Sequence, residues 1–504
     1  MTRIKKHLSA ALAALLLLSS AAAFTGCADT SDKEGDSTIK IENGSDDDRF
    51  IGVDYKNRPF RIYTSTNVAS SGMGNSNFLI EGIGKTGGGI VSDAVYERNT
   101  TVEELLKVKL EFTPVDLPYV SVAADIRKLT QSGDDMYDLV INDIFGYSEL
   151  MIEGNFRNII DEDCVFDFER NYWYDDFMED LRLMDGYQYF LAGDFFADII
   201  RSAHLLLLNK EIYMNFYNRP ADELYDIVTD YKWTYEKMNE IITDKYVDSN
   251  YNNTKDAGDL YGFMAFEYWG PSIPFSVTGM TQFITRDEEG IPSITVHQGD
   301  RANQLAAAMS AIFNNQSAGI GQVADEDLLT AFTQGECLIL GYQRLGSLEN
   351  EVLRKMEGDA AVLPYPMLFE SDKKYTTATH DTTEMGAILA TSKDENMKFI
   401  STVIEVLNRE TARIVMPKYY DEGLQVRYVD DEKAAAMIDI IHDNFDNSFI
   451  LAYNLTLGST ILQSFSTAVE SKREYSAVFA SPAKTINKSL DRLIKQYQSK
   501  NKID

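Results

Sequence analysis

Histidine and cysteine are scarce in this chain, with five of the first and three of the second among 504 residues. No histidine stands at metal-ligand spacing, so the sequence offers no metal site of the usual zinc type. The cysteines are Cys27, Cys164 and Cys337. Cys337 lies inside an apolar strand pattern, and it and Cys164 are expected as free buried thiols rather than a pair. Basic residues are few as well: 47 Lys and Arg face 79 Asp and Glu, for a net charge of −32. A field of that sign repels nucleic acid and anionic lipid head groups, which excludes a nucleic-acid partner. Beyond the first two dozen residues there is no apolar run long enough to span a bilayer, and there is no tandem repeat.

What is present starts at the N-terminus. Arg3, Lys5 and Lys6 precede an uncharged, Ala- and Leu-rich stretch from Leu8 to Phe24. It is too short for a comfortable membrane span and is expected to be a signal peptide over 1–26. The segment ends in Phe24-Thr25-Gly26-Cys27. A small residue before a cysteine at this point resembles the lipobox of bacterial lipoproteins, with Phe24 where Leu, Val or Ile is usual. The resemblance implies cleavage before Cys27, lipid on its sulfur, and residence on the outer face of the cell membrane. Residues 28–49 are polar and acidic and cannot bury enough surface to offset their ordering entropy, so 27–49 reads as a lipidated tether. Removing the leader's basic residues leaves a chain near −35, three more negative than the −32 of the whole.

The remainder, about 450 residues, is too long for one hydrophobic core. Strand patterns at 60–65, 108–116 and 137–143 alternate with helical patterns at 92–108 and 120–132. This β-α-β-α-β order predicts a parallel sheet, in which ligands bind beyond the carboxyl ends of the strands. The alternation restarts with strand and helix at 202–213, a helix at 232–246, and a strand at 260–270. It continues with a helix at 304–316, a strand at 336–342, a proline-marked crossover at 360–367, and strand then helix at 386–416. The last hundred residues read as mostly helical.

Several segments, in this order, resemble the extracellular solute-binding proteins of family 1, the maltose-binding-like sugar receptors of ABC transporters. YDLVINDIFGYSELMIEGNFRNI (137–159) is similar to the family's strand, ligand loop and exit. DGYQYFLAG (185–193) with LLLLNKEIY (205–213) resembles the family's "dGkiYglP … lyYNkdlf". YKWTYEKMNE (231–240) resembles its "tWdEl" helix start, with Thr234 as N-cap. FTQGECLILGY (332–342) and VLPYPM (362–367) resemble two further stretches. Each motif alone is weak; their collinear order carries the resemblance. It implies an α/β, two-lobed, type II periplasmic-binding-protein-like fold whose lobes are joined by crossing hinge strands near Ala203, Tyr365 and Asn408. The first lobe is expected over 50–203 plus 365–408, the second over 204–364 plus 409–504. The implied molecule is a monomeric, non-enzymatic receptor. It would close on a small solute, expected to be a carbohydrate and in particular an oligosaccharide, and deliver it to membrane permease subunits, with no cofactor.

The candidate ligand residues follow from strand ends. Asn142, Asp143 and Tyr147 lie at the end of the third strand, where compact polar groups meet hydroxyls; an Asx turn or helix cap is the competing reading. Glu267, Tyr268 and Trp269 follow a second-lobe strand, where aromatic faces stack on sugar rings and a carboxylate takes hydroxyl protons; a core aromatic is the alternative. Tyr342 and Arg344 follow the Cys337 strand, where Arg344 could grip a carboxylate. Asp194 and Ser202 fall at the lobe junction. Asp381 and Glu384 form an acidic pair, which also invites a secreted carbohydrate-active enzyme. A receptor-derived surface sensor is a third possibility. GIGKTGGG (82–89) fails the phosphate-loop spacing and reads as a flexible loop. Asp248, Asn250, Asn252, Asp256 and Asp259 stand at EF-hand-like offsets but lack the Gly and Glu that a calcium loop requires, so a polar surface loop is expected.

Overall fold

The structure is a computed structural model and describes residues 48–65, 78–117, 119–356, 359–380, 383–420 and 432–503. The expected leader, Cys27, most of the acidic tether and Asp381 lie outside the described residues. All the described residues belong to one unit, Thr38–Asp504.

Among the described residues twelve strands follow one another: β1 (Arg58–Ser65), β2 (Val108–Val115), β3 (Leu139–Asp143), β4 (Phe190–Leu191), β5 (His204–Asn209), β6 (Tyr261–Ala265), β7 (Ile284–Arg286), β8 (Pro292–Ile294), β9 (Ala318–Ile320), β10 (Cys337–Arg344), β11 (Ala360–Leu363) and β12 (Glu384–Ala387). Ten of them form two five-stranded sheets, ordered β2-β1-β3-β12-β4 and β11-β5-β10-β6-β9. In the first sheet β1 runs parallel to β2 and β3, and the returning β12 is antiparallel to β3. In the second, β10 is parallel to β6 and β6 to β9, while β5 is antiparallel to β10 and β11. This is the two-lobed α/β, type II periplasmic-binding-protein-like architecture.

The chemistry of each strand explains its place. β5 is buried along its whole length, as its unbroken Leu205–Leu208 run demands of a strand covered on both faces. β2 alternates buried and exposed residues at its start, matching Val-Lys-Leu-Glu. The helix Ile90–Leu106 covers the first sheet with Val91, Val95, Val102 and Leu106. Thr234 caps the helix Tyr235–Ile242 by accepting the Lys237 amide proton at 3.2 Å. Cys337 is buried and Cys164 half-buried, and both are free thiols.

One local expectation changes. Residues 260–270 do not form one strand: β6 stops at Ala265, and Trp269 opens the helix Trp269–Gly279. The aromatic cluster is therefore a strand-to-helix turn. Elements within 409–504 pack against helices of both sheets. Thr411–Val415 lies on the first-sheet helix Ile90–Leu106, whereas Thr460–Ser471 lies on the second-sheet helix Arg301–Phe313. The last helix, Ile486–Asn501, returns to Ile144–Ile152, where Asn501 donates to the Met151 carbonyl at 3.0 Å. Amphipathic helices without a strand partner pack wherever an apolar face is open, and sequence order does not decide which.

Candidate ligand cleft

Polar side chains stand at strand ends in both sheets. Asp143 ends β3, Glu384 opens the antiparallel β12 directly opposite it, His204 opens β5, and Arg344 ends β10 opposite His204. The chain passes between the sheets at Ser202–Ala203 and again at 378–380. Ala203 bridges Thr379, His204 N–H donates to the Ala378 carbonyl at 2.8 Å, and His380 N–H donates to the Ser202 carbonyl at 3.0 Å. Side chains at the carboxyl ends of parallel strands thus converge on the crossing segments, as doubly wound sheets require.

On the first-sheet side Asn142, Asp143, Tyr147, Ser202 and Glu384 are all buried. Ser202 and Thr383 share a hydroxyl hydrogen bond of 2.6 Å. The Glu384 amide donates to Asp198 Oδ2 at 2.9 Å. The Asn142 side-chain amide and the Tyr147 hydroxyl have no hydrogen-bond partner. Burial pushes the Tyr147 phenol well up, and the nearby Glu384 adds to it. Sequence reasoning missed four members of this set. Glu81 is wholly buried, and burial followed by the charges of Glu384 and Asp198 holds its carboxyl well above its usual range. Arg201 grips Glu349 with two bonds, Nε to Oε1 at 2.9 Å and Nη2 to Oε2 at 3.1 Å. Burial opposes the Arg201 charge, but the carboxylate outweighs it and the guanidinium titrates above its ordinary value. Asp198 and Arg201 flank the expected junction and could have been suspected from position alone; nothing local marks Glu81 or Glu349.

On the second-sheet side Tyr342 is the centre. It sits at a register shift in β10 with φ +59, a left-handed conformation that few non-glycine residues adopt outside turns and functional sites. The irregularity places its ring against His204, with centroids 5.1 Å apart, and its hydroxyl 3.0 Å from His380 Nε2. Burial, with Arg344 alongside, lowers His204 to about 3 and His380 well below its ordinary value, so both imidazoles are neutral at pH 7. Phe266 of the strand-to-helix turn lies 5.4 Å from the Tyr342 ring. In the same turn Glu267 is exposed and accepts the Gly270 amide proton at 3.2 Å, and Trp269 is half-buried.

Two expected residues stand apart. Tyr268 stacks on Phe313 and donates to Asn314 Oδ1 at 3.3 Å, on the helical flank. Asp194 accepts from Tyr174 at 2.7 Å beside His442, and burial raises it to about 6. The loop at 248–259 satisfies its own side chains, with Asn250 and Asn252 donating to Asp256 and Tyr246 donating to Asp259. Among the described residues no group of acidic, histidine or cysteine side chains is arranged to hold a metal ion.

No family model matches the chain, and neither does any curated protein. Solved structures do match. A cyclo/maltodextrin-binding protein complexed with maltotetraose aligns with a TM-score of 0.53 at 12% identity, over 89% of this chain and 99% of its own. The sugar-binding protein MalE of the phytopathogen Xanthomonas citri gives 0.54 at 10% identity, over 86% and 98%. An ABC substrate-binding protein of Listeria monocytogenes in complex with cycloalternan gives 0.51 at 13%, over 86% and 99%. At these identities the likeness establishes the fold, that of the maltose-binding-like, type II periplasmic binding proteins.

Proposed function

We propose that this chain is the substrate-binding lipoprotein of an ABC importer, capturing a carbohydrate between its two lobes. The observation that carries the reading is the buried polar junction between the sheets. Asn142 and Tyr147 present buried hydrogen-bonding atoms with no protein partner on the first-sheet side, and Tyr342 meets His204 and His380 at the crossing segments. Buried polar groups are ordinarily satisfied, so each such exception calls for an explanation, and in this reading a bound ligand supplies the missing bonds. Hydroxyl-rich rings both donate and accept, which suits a wall of amide, phenol and carboxylate. The structures that share the fold include proteins bound to maltotetraose and cycloalternan, in keeping with an oligosaccharide.

Within this reading Asn142, Asp143, Tyr147, Ser202 and Glu384 line the first-lobe wall, Tyr342 and Arg344 the second, and Glu267 with Trp269 the rim. Cys27 carries the lipid, and the acidic body stays at the outer membrane face beside its permease. The chain binds and does not turn over its ligand. Isothermal titration of the purified protein against an oligosaccharide panel tests the assignment. Heat with an oligosaccharide supports it; binding of amino acids or peptides alone sinks the sugar assignment and leaves a receptor of another ligand class.

A further inference from the structure

The chain passes between the lobes a third time at 443–447. Before this passage the helix Glu432–His442 packs on β11 of the second sheet; after it the helix Ser448–Tyr453 packs on Ile144–Ile152, which follows β3 of the first. The passage is tied down at both ends. Asn447 donates its side-chain amide to the Val277 and Met280 carbonyls, each at 3.1 Å, at the end of the second-lobe helix Trp269–Gly279. Two residues on, the Phe449 amide donates to Asp180 Oδ2 at 2.7 Å, and the Ser448 and Tyr453 hydroxyls donate to the Phe177 and Leu181 carbonyls, each at 2.8 Å. Those acceptors lie on the first-lobe segment that leads into β4.

The hairpin β7–β8 adds a non-covalent bridge to the same segment. Its root belongs to the second lobe: Phe283 meets Phe465 edge-on at 6.5 Å, on the helix Thr460–Ser471 that lies against Arg301–Phe313. Its tip reaches the first lobe, where the Asp185 amide donates to the Glu289 carbonyl at 3.0 Å and a Cβ added at Gly290 would fall on the Asp185 side chain. Between root and tip, Arg286 donates to the carbonyls of Arg182 and Asp180, each at 2.7 Å. The last helix reinforces the bridge. Asn487 accepts from the Ile294 amide at 2.7 Å and donates to its carbonyl at 3.1 Å, and Asn501 at the far end holds Met151.

Asp180, Arg286 and Asn447 are all buried or half-buried. Parting the lobes on this side would strand a carboxylate, a guanidinium and an amide together, and a buried polar group left unmade costs more than its bond gains. At the cleft rim, Glu267 bonds within its own turn and carries no such cost. We propose that the hairpin β7–β8 is a permanent strap between the lobes. It and the passage at 443–447 stay docked with or without ligand, so opening is a rotation about this side and the cleft parts at its rim. The proposal rests on the receptor reading and adds to it the side on which the lobes do not separate.

The test begins with the unaltered mature chain without ligand. Hydrogen exchange should protect 180–186, 284–295 and 447–450 to within about tenfold of β5, because strap and core then open only together. A locked form follows: Asp185→Cys with Gly290→Cys, in a chain carrying Cys27→Ser and Cys164→Ser, oxidised to join the hairpin tip to the first lobe. Its ligand-free radius of gyration should equal that of the reduced form, and maltotetraose should give both the same heat. Strap peptides that exchange more than about tenfold faster than β5 overturn the proposal, as does a smaller ligand-free radius or a loss of heat on oxidation. If the cysteine pair fails to fold, exchange in the unaltered chain decides alone. Absence of heat with maltotetraose in both forms counts against the carbohydrate reading and leaves the strap to be decided by exchange and scattering.

Discussion

Arg201 and Glu349 form a bidentate ion pair inside the protein, with side chains only 1% and 3% exposed, joining the helical turn Asp198–Arg201 to the turn Leu345–Glu349. Tyr419 donates to the same carboxylate at 3.0 Å. The pair bridges from the segment just before β5 to the one just after β10, so it braces the point at which the chain passes between sheets. Removing one partner strands the other charge. Arg201→Met should cost about 3–5 kcal/mol of folding stability, and a double replacement by apolar residues should recover much of it. Urea unfolding of the two single variants and the double variant checks the coupling.

Trp269 sits half-buried at the start of Trp269–Gly279, at the mouth of the strand-to-helix turn. If it stacks on a sugar ring, Trp269→Ala should cost about 2 kcal/mol of binding, roughly thirtyfold in affinity, with little change in melting temperature. A core role reverses the order, with about 3–5 kcal/mol lost from folding and affinity unchanged. Titration and thermal unfolding of this one variant separate the outcomes.

His204 and His380 make acid destabilising. Burial and Arg344 hold His204 near 3, below the unfolded value of about 6.5, so the unfolded chain binds more protons between those pH values. The stability present above about pH 6.5 is therefore lost as pH falls toward 3, with a slope of up to about 1.4 kcal/mol per pH unit for each such histidine. Asp194, raised to about 6, acts in the opposite sense over its own window, because the folded form holds the extra proton. The difference between wild type and His204→Gln isolates the histidine contribution. Denaturant unfolding from pH 4 to 7 should show a shallower acid loss in the variant.

Ligand contacting both lobes stabilises the closed arrangement by its differential affinity. At a hundred times its dissociation constant it should add about 2.7 kcal/mol to apparent stability. Small-angle scattering should show a smaller radius of gyration with ligand. An unchanged radius at saturation would argue against hinge closure.

Much of the architecture was legible before any coordinates. The strands around Ile62, Leu110, Ile141, Leu207 and Ile339 announce themselves by runs or alternation, and the helix after Thr234 by its cap. These signals are local: periodicity reports a residue's own face, and a cap is complete within one turn. The strand-end positions of Asp143, Glu384 and Arg344 were also reachable, because the apolar run of each strand stops beside them.

Other features depend on contacts between distant parts of the chain. Glu81 looks like any surface glutamate in sequence; only packing beneath Arg98 and beside Glu384 buries it. Tyr268 and Trp269 are adjacent, yet one turns onto Phe313 and the other stays at the turn's mouth, because the helix begins at 269 rather than the strand continuing. The final helix Ile486–Asn501 presents an apolar stripe that any open face could accept, and its docking on Ile144–Ile152 was decided by which face remained uncovered. By itself the sequence determined the class of chain, its alternation of strands and helices and its strongly acidic charge, since these follow from composition and near-neighbour spacing. The tertiary structure alone decided which buried charges meet between the sheets, because burial and electrostatic coupling depend on distance in space rather than along the chain.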